Sequence, residues 1–202
     1  MTTVKEIPAK LVAELRARTG AGMMDCKKAL EEAGGDLAKA EEIVRVRYAA
    51  KADKRAAREA REGLIESYVH FTGRLGVLVE LNCETDFVAR NDEFRQLARD
   101  VALHVASARP LTVRIEDVPA DVIQRERRIY EQQVAEQGKP EAIRGKIVDG
   151  MLRKFYEENV LLEQKFVKDD TRTVGELVTA FSGKTGEKIE IRRFARLELG
   201  GD

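Results

Sequence analysis

Tryptophan is absent from this sequence, and cysteine and histidine occur only twice each, as Cys26, Cys83, His70 and His104. The two cysteines lie far apart and form no C-x-x-C, so neither a disulfide framework nor a thiolate metal site is expected. Two histidines are too few for a His-based metal centre. Net charge is missing as well: 36 basic side chains cancel 36 acidic ones, so the surface as a whole has no general affinity for nucleic acid or an anionic membrane. No apolar run approaches the roughly 18 residues of a membrane span, and the opening MTTVKEIPAK lacks the apolar segment of a secretory signal, so a cytoplasmic protein is expected. The loops that cradle nucleotides are missing too, as are G-x-S-x-G and any acid, histidine and nucleophile set at favourable spacing. These absences point to a binding protein with no cofactor and no metal, rather than an enzyme.

The sequence is rich in helical periodicity and short alternating runs, which together indicate an α+β fold. Val4, Ile7, Leu11, Val12 and Leu15 recur at helical spacing. The glycines of TGAG (Thr19 to Gly22) break that helix, and a second runs from Met23 to Ala33 before Gly34-Gly35. Asp36 is placed to cap a third helix in which Leu37, Ala40, Ile43, Val44 and Tyr48 share a face. Residues 1–48 therefore read as a three-helix module of the ubiquitin-associated type. Residues 49–62 read as a basic helical linker, part of an alanine-rich stretch from Arg45 to Arg61 with seven Lys or Arg residues and no apolar stripe. Such a run suits a solvated connector, since no aromatic residues interleave to stack bases.

Residues 63–109 read as a strand hairpin and helix. Gly63 to Phe71 and Leu75 to Asn82 flank the turn Thr72-Gly73-Arg74, and Leu75, Val77, Val79 and Leu81 line one strand face. Cys83 is assigned to the polar face, and both cysteines are read as packing residues. Asn91 or Asp92 opens a helix with an apolar stripe through Phe94, Leu97, Val101, Val105 and Ala108, which ends at Pro110; His104, near the apolar side, suits a satisfied core position. Residues 110–158 read as a projecting antiparallel helical hairpin, turned at Gly138-Lys139-Pro140. Residues 159–202 hold a return segment, a helix opened by the capping box Thr173 to Glu176, and a last strand from Lys188 to Leu199. That strand is expected to carry Ile189, Ile191, Ala195, Leu197 and Leu199 on one face, interrupted by Arg193.

Two features resist a purely structural account. Met23 and Met24 are consecutive, about 100° apart on a helix, so at least one is expected at the surface, whether it fills a gap or meets a partner. The other is NCETDFVARN (Asn82 to Asn91), where an acid stands beside an aromatic ring at a strand-to-helix junction. Taken alone, Asp86 can stabilise a helix start while Phe87 packs on the sheet.

Together, LRARTGAGMMDCKKALEEAGGDLAKA (Leu15 to Ala40) and LNCETDFVARND (Leu81 to Asp92) resemble the two signature segments of the bacterial translation elongation factor Ts family. Gly138 to Leu177 is similar to that family's coiled-coil arm and the segment returning to its core. The resemblance covers nearly the whole chain in order. It implies guanine-nucleotide exchange on elongation factor Tu, in its GDP-bound and nucleotide-free forms. It further implies that Thr85, Asp86, Phe87 and Val88 press beside the partner's magnesium site, and that the module around Val12, Leu15, Met23 and Met24 docks on the same domain. Longer family members carry two core modules where one is found here; short members suggest that a second chain supplies the counterpart, so a homodimer is expected, without a disulfide across the interface. From the residues alone, an RNA-associated or ribosome-associated adaptor using the three-helix module and basic linker stands as the alternative.

Overall fold

The computed structural model describes residues 7–201; Val4 of the first expected stripe lies outside them. Helices and a small antiparallel sheet make up an α+β fold. Its elements are α1 (Ala9–Thr19), α2 (Met23–Glu32), α3 (Leu37–Arg55), β1 (Glu62–Val69), β2 (Leu75–Cys83), α4 (Asp86–Ala89) and α5 (Asp92–Ala108). A 3₁₀ turn at Ile115–Asp117 leads to α6 (Ala120–Glu136) and α7 (Glu141–Asn159), then β3 (Lys165–Phe166), β4 (Asp169–Thr173), α8 (Val174–Thr185) and β5 (Glu190–Glu198). The three-stranded sheet has the order β1-β2-β5, and β3 pairs with β4 in a separate ribbon. The chain divides into two compact units. The first takes the described residues up to Leu64, with Leu81–Leu97 and Glu176–Glu190; the second takes Ile65–Glu80, Ala98–Gly175 and the described residues from Ile191 on.

In the first unit, α1, α2 and α3 close around Val12, Leu15, Cys26, Leu30, Val44 and Tyr48. Gly20 follows α1 with φ 68°, a left-handed conformation that favours glycine, and its N–H returns to the Arg16 carbonyl. Asp36 caps α3 by accepting the Lys39 N–H at 3.1 Å. Tyr48 joins this module to α8: its hydroxyl accepts the Gly22 N–H, and a Cβ at Gly183 would fall 2.0 Å from the Tyr48 ring, so only glycine fits there. Helix α3 crosses residue 48 without a break, but it stops at Arg55 rather than continuing to Arg61. Local propensity at Ala56 and Ala57 favours more helix. The carbonyls of Ala56 and Arg58 are instead taken by the ammonium of Lys188, each at 3.0 Å, a tertiary contact that overrides it.

Most of the basic run is paired with acids of the first unit. Arg45 meets Glu176, Arg47 meets Glu32, Lys51 meets Asp25, Arg58 meets Glu84 and Arg61 meets Glu59. Arg55 donates to the Ser182 carbonyl at 3.1 Å.

In the second unit, α6 and α7 pack along Val134, Val148 and Leu152, with a further cluster at Val118, Phe155 and Val160. His104 is buried. The Val167 N–H donates to its Nδ1 at 3.3 Å, which leaves the proton on Nε2 to be donated to Gln164 Oε1 at 3.0 Å. Burial lowers its pKa, and the bond to Gln164 only partly opposes that. Gln164 in turn donates to the carbonyls of Ala108 and Glu158. The β3-β4 ribbon carries no sequence signal of its own: its strands are short and mostly polar.

Strand β5 departs from its expected alternation. Ile189 and Ile191 are buried, but Arg192 and Arg193 are both exposed, and past this slip Ala195, Leu197 and Leu199 face solvent. Such a change of phase follows wherever one extra residue enters a strand. The Leu199 N–H bonds the Arg74 carbonyl at 2.8 Å, and Arg193 pairs with Glu80 at 2.6 Å, aligning β5 antiparallel to β2. Ile65 and Val69 of β1 are exposed as well, so this unit carries apolar side chains on its open sheet face, and Phe71 is exposed in the turn beyond β1.

Candidate functional site

Strand β2 ends at Cys83, which is buried in phase with Val79 and Leu81 rather than lying on the polar face. Counting alternation from Leu75 puts every odd position inside, Cys83 included. Its thiol donates to the Thr85 carbonyl at 3.1 Å. Burial, with the charge of Glu187 beside it, pushes the thiol pKa up to about 11.

Helix α4 follows at once and is a single turn. Thr85 is its N-cap, in extended conformation, and its hydroxyl accepts the Val88 N–H at 3.5 Å. Asp86 sits in the first turn, where the helix dipole favours an acid, and pairs with Arg90 one turn on at 3.0 Å. Val88 is half-buried and Ala89 buried. Phe87 is 85% exposed. The ring does not pack on the sheet, as an isolated phenylalanine at such a junction ordinarily does. The next helix opens cleanly, with Asn91 accepting the Glu93 N–H at 2.8 Å.

The junction is held from the far end of the sequence. One carboxylate oxygen of Glu187 accepts the backbone N–H groups of Glu84 and Thr85, at 3.0 and 3.1 Å, and the other accepts the Thr85 hydroxyl at 2.6 Å. Reciprocally, the Glu84 carboxylate accepts the Lys188 N–H and the Arg58 guanidinium. Burial works to raise the Glu84 pKa, but these bonds outweigh it and hold the carboxyl below its ordinary range.

The four module residues separate into two pairs. Met23 and Met24, at the start of α2, are 57% and 63% exposed. Val12 and Leu15 are buried in the three-helix core, packed against α2 and α3. Neither Glu187 nor Lys188 stands out in the sequence. Their partners lie about a hundred residues earlier, and no local pattern encodes that distance.

Among the described residues, no group of three or more His, Cys, Asp or Glu side chains could hold a metal ion, and no helix is long and apolar enough to cross a membrane.

A family model described as Elongation factor TS matches residues 2–201. The chain belongs to the elongation factor Ts family. It is 54% identical to the elongation factor Ts of Desulforamulus reducens over 96% of this chain and 90% of that protein. Against the elongation factor Ts of Thermosipho melanesiensis it is 55% identical, covering 96% and 99% of the two chains. For that of Thermotoga maritima the figures are 54%, 96% and 97%. These elongation factor Ts chains are nearly the same length as this one.

Proposed function

We propose that this chain is a guanine-nucleotide exchange factor for elongation factor Tu, the GTPase that delivers aminoacyl-tRNA to the ribosome, and that it acts in the cytoplasm without covalent chemistry or a cofactor. The observation that carries this reading, beside membership of the family, is Phe87: a large apolar ring 85% exposed on a capped turn. Exposing such a ring forgoes about 1.5 to 3 kcal/mol of burial, which a partner surface can recover. Phe87 is the wedge, Thr85 caps the turn that carries it, and Asp86 and Val88 flank it against the partner. Met23 and Met24 form a second contact, for which Val12 and Leu15 are the internal support.

Magnesium demands near-ideal octahedral geometry at about 2.0 to 2.1 Å, so a small displacement of a ligand-bearing element in the partner weakens it disproportionately. With the cation lost, the diphosphate is poorly neutralised and GDP leaves. The wedge gains its contacts chiefly in the nucleotide-free partner, and that difference in affinity drives exchange. By reciprocity, nucleotide weakens the factor's binding by the same ratio, so incoming GTP displaces it.

The test is release of fluorescent GDP from purified elongation factor Tu. Wild-type protein accelerates it and Phe87→Ala does not; no acceleration by the wild type would overturn the reading. A homodimer through the exposed sheet face, with no direct contact to nucleic acid, completes the proposal.

A further inference from the structure

A four-residue helical turn has no stability of its own, because nucleation costs more than one turn of hydrogen bonds returns. The Phe87 ring nevertheless stands at a defined place, and the local interactions are too weak to hold it. The Asp86–Arg90 pair is exposed, and such pairs contribute little. The backbone before the turn is gripped chiefly by one carboxylate, beside the weaker thiol bond from Cys83 to the Thr85 carbonyl. Glu187 takes the amides of Glu84 and Thr85 and the hydroxyl of Thr85, all three as charge-assisted bonds. The Thr85 hydroxyl donates to Glu187 while accepting from Val88, so the carboxylate orients the cap itself. Glu187 is fixed in turn: its carbonyl accepts the Ser182 hydroxyl at 2.5 Å and its N–H donates to the Thr185 hydroxyl at 3.4 Å.

We infer that Glu187 is the positioning residue for the Phe87 wedge, acting through Thr85 and never touching the partner's nucleotide site. This deepens the exchange-factor proposal and rests on it. Positioning of this kind raises the fraction of molecules ready to bind, so its loss appears as weaker apparent affinity rather than as a slower exchange step.

The experiment titrates wild-type, Glu187→Ala, Phe87→Ala and the double variant against elongation factor Tu loaded with fluorescent GDP. Glu187→Ala is expected to raise the half-saturating concentration about three- to tenfold. In the Phe87→Ala background its effect is expected to vanish, since both changes act through one ring. An unchanged half-saturation, or an undiminished effect without the ring, overturns the inference. Glu187→Gln, which keeps the shape and one acceptor oxygen, is expected to recover part of the loss; it also serves if the alanine variant fails to fold. Amide hydrogen exchange on the free proteins separates the two claims. Faster exchange at Glu84 and Thr85 alone supports the tether even if the wild type proves inactive on elongation factor Tu, and unchanged exchange there overturns it.

Discussion

Phe87 and Cys83 are four residues apart and have opposite fates. The ring is in water, so Phe87→Ala is expected to shift folding stability by no more than about 0.5 kcal/mol while abolishing exchange. Cys83 is sealed. With its pKa pushed up to about 11, roughly one thiol in a thousand is ionised at pH 8. Native protein is therefore expected to react with Ellman's reagent only over hours, whereas the denatured chain releases two equivalents at once. The motif around Phe87 was legible in the sequence. Taken alone, an acid and an aromatic at a helix start favour a packed ring; its exposure is expected only with the second signature segment beside it, and the ring is indeed in water. Cys83 was legible only by strict counting along its strand.

At the scale of elements, α2 separates the residues that hold the three-helix module together from those on its surface. Leu15→Ala removes a fully buried side chain and is expected to cost about 2 to 5 kcal/mol, read by urea unfolding. Met23→Ala with Met24→Ala is expected to leave unfolding nearly unchanged but to weaken the complex with elongation factor Tu, read by calorimetric titration. Helix starts and stops within the module were readable because glycine and aspartate mark them chemically. The end of α3 was not, since the ammonium that terminates it belongs to Lys188. The slip in β5 escaped for a related reason: its apolar alternation is regular in sequence, and only pairing with β2 reveals that Arg192 and Arg193 share the exposed side.

For the whole molecule, two solution properties are expected. Leu197 and Val69, 76% and 68% exposed, belong to the face through which a second copy is proposed to bind, and Leu197→Glu with Val69→Glu is expected to convert the dimer to a monomer in sedimentation velocity. The second property is a response to mild acid. His104 has a native pKa below its ordinary value of 6.5, so between the two values the unfolded chain takes up a proton that the native state refuses. Stability therefore rises with pH through that window and falls as pH drops across it, by at most about 1.4 kcal/mol per pH unit. Unfolding from pH 7 to 5.5 is expected to show this slope, and His104→Gln to remove it. Glu84 works in a separate window: its depressed pKa contributes stability above the ordinary carboxylate range, lost only as pH falls through the native value.

Thr85 and Glu187 are 102 positions apart, with the whole α6-α7 hairpin between them. During synthesis, Phe87 leaves the ribosome long before its restraint exists. A chain made only as far as α7 carries the aromatic ring without the carboxylate that grips the turn before it. On the proposed role of Glu187, readiness of the ring to engage a partner is thus tied to a segment translated about a hundred residues after it.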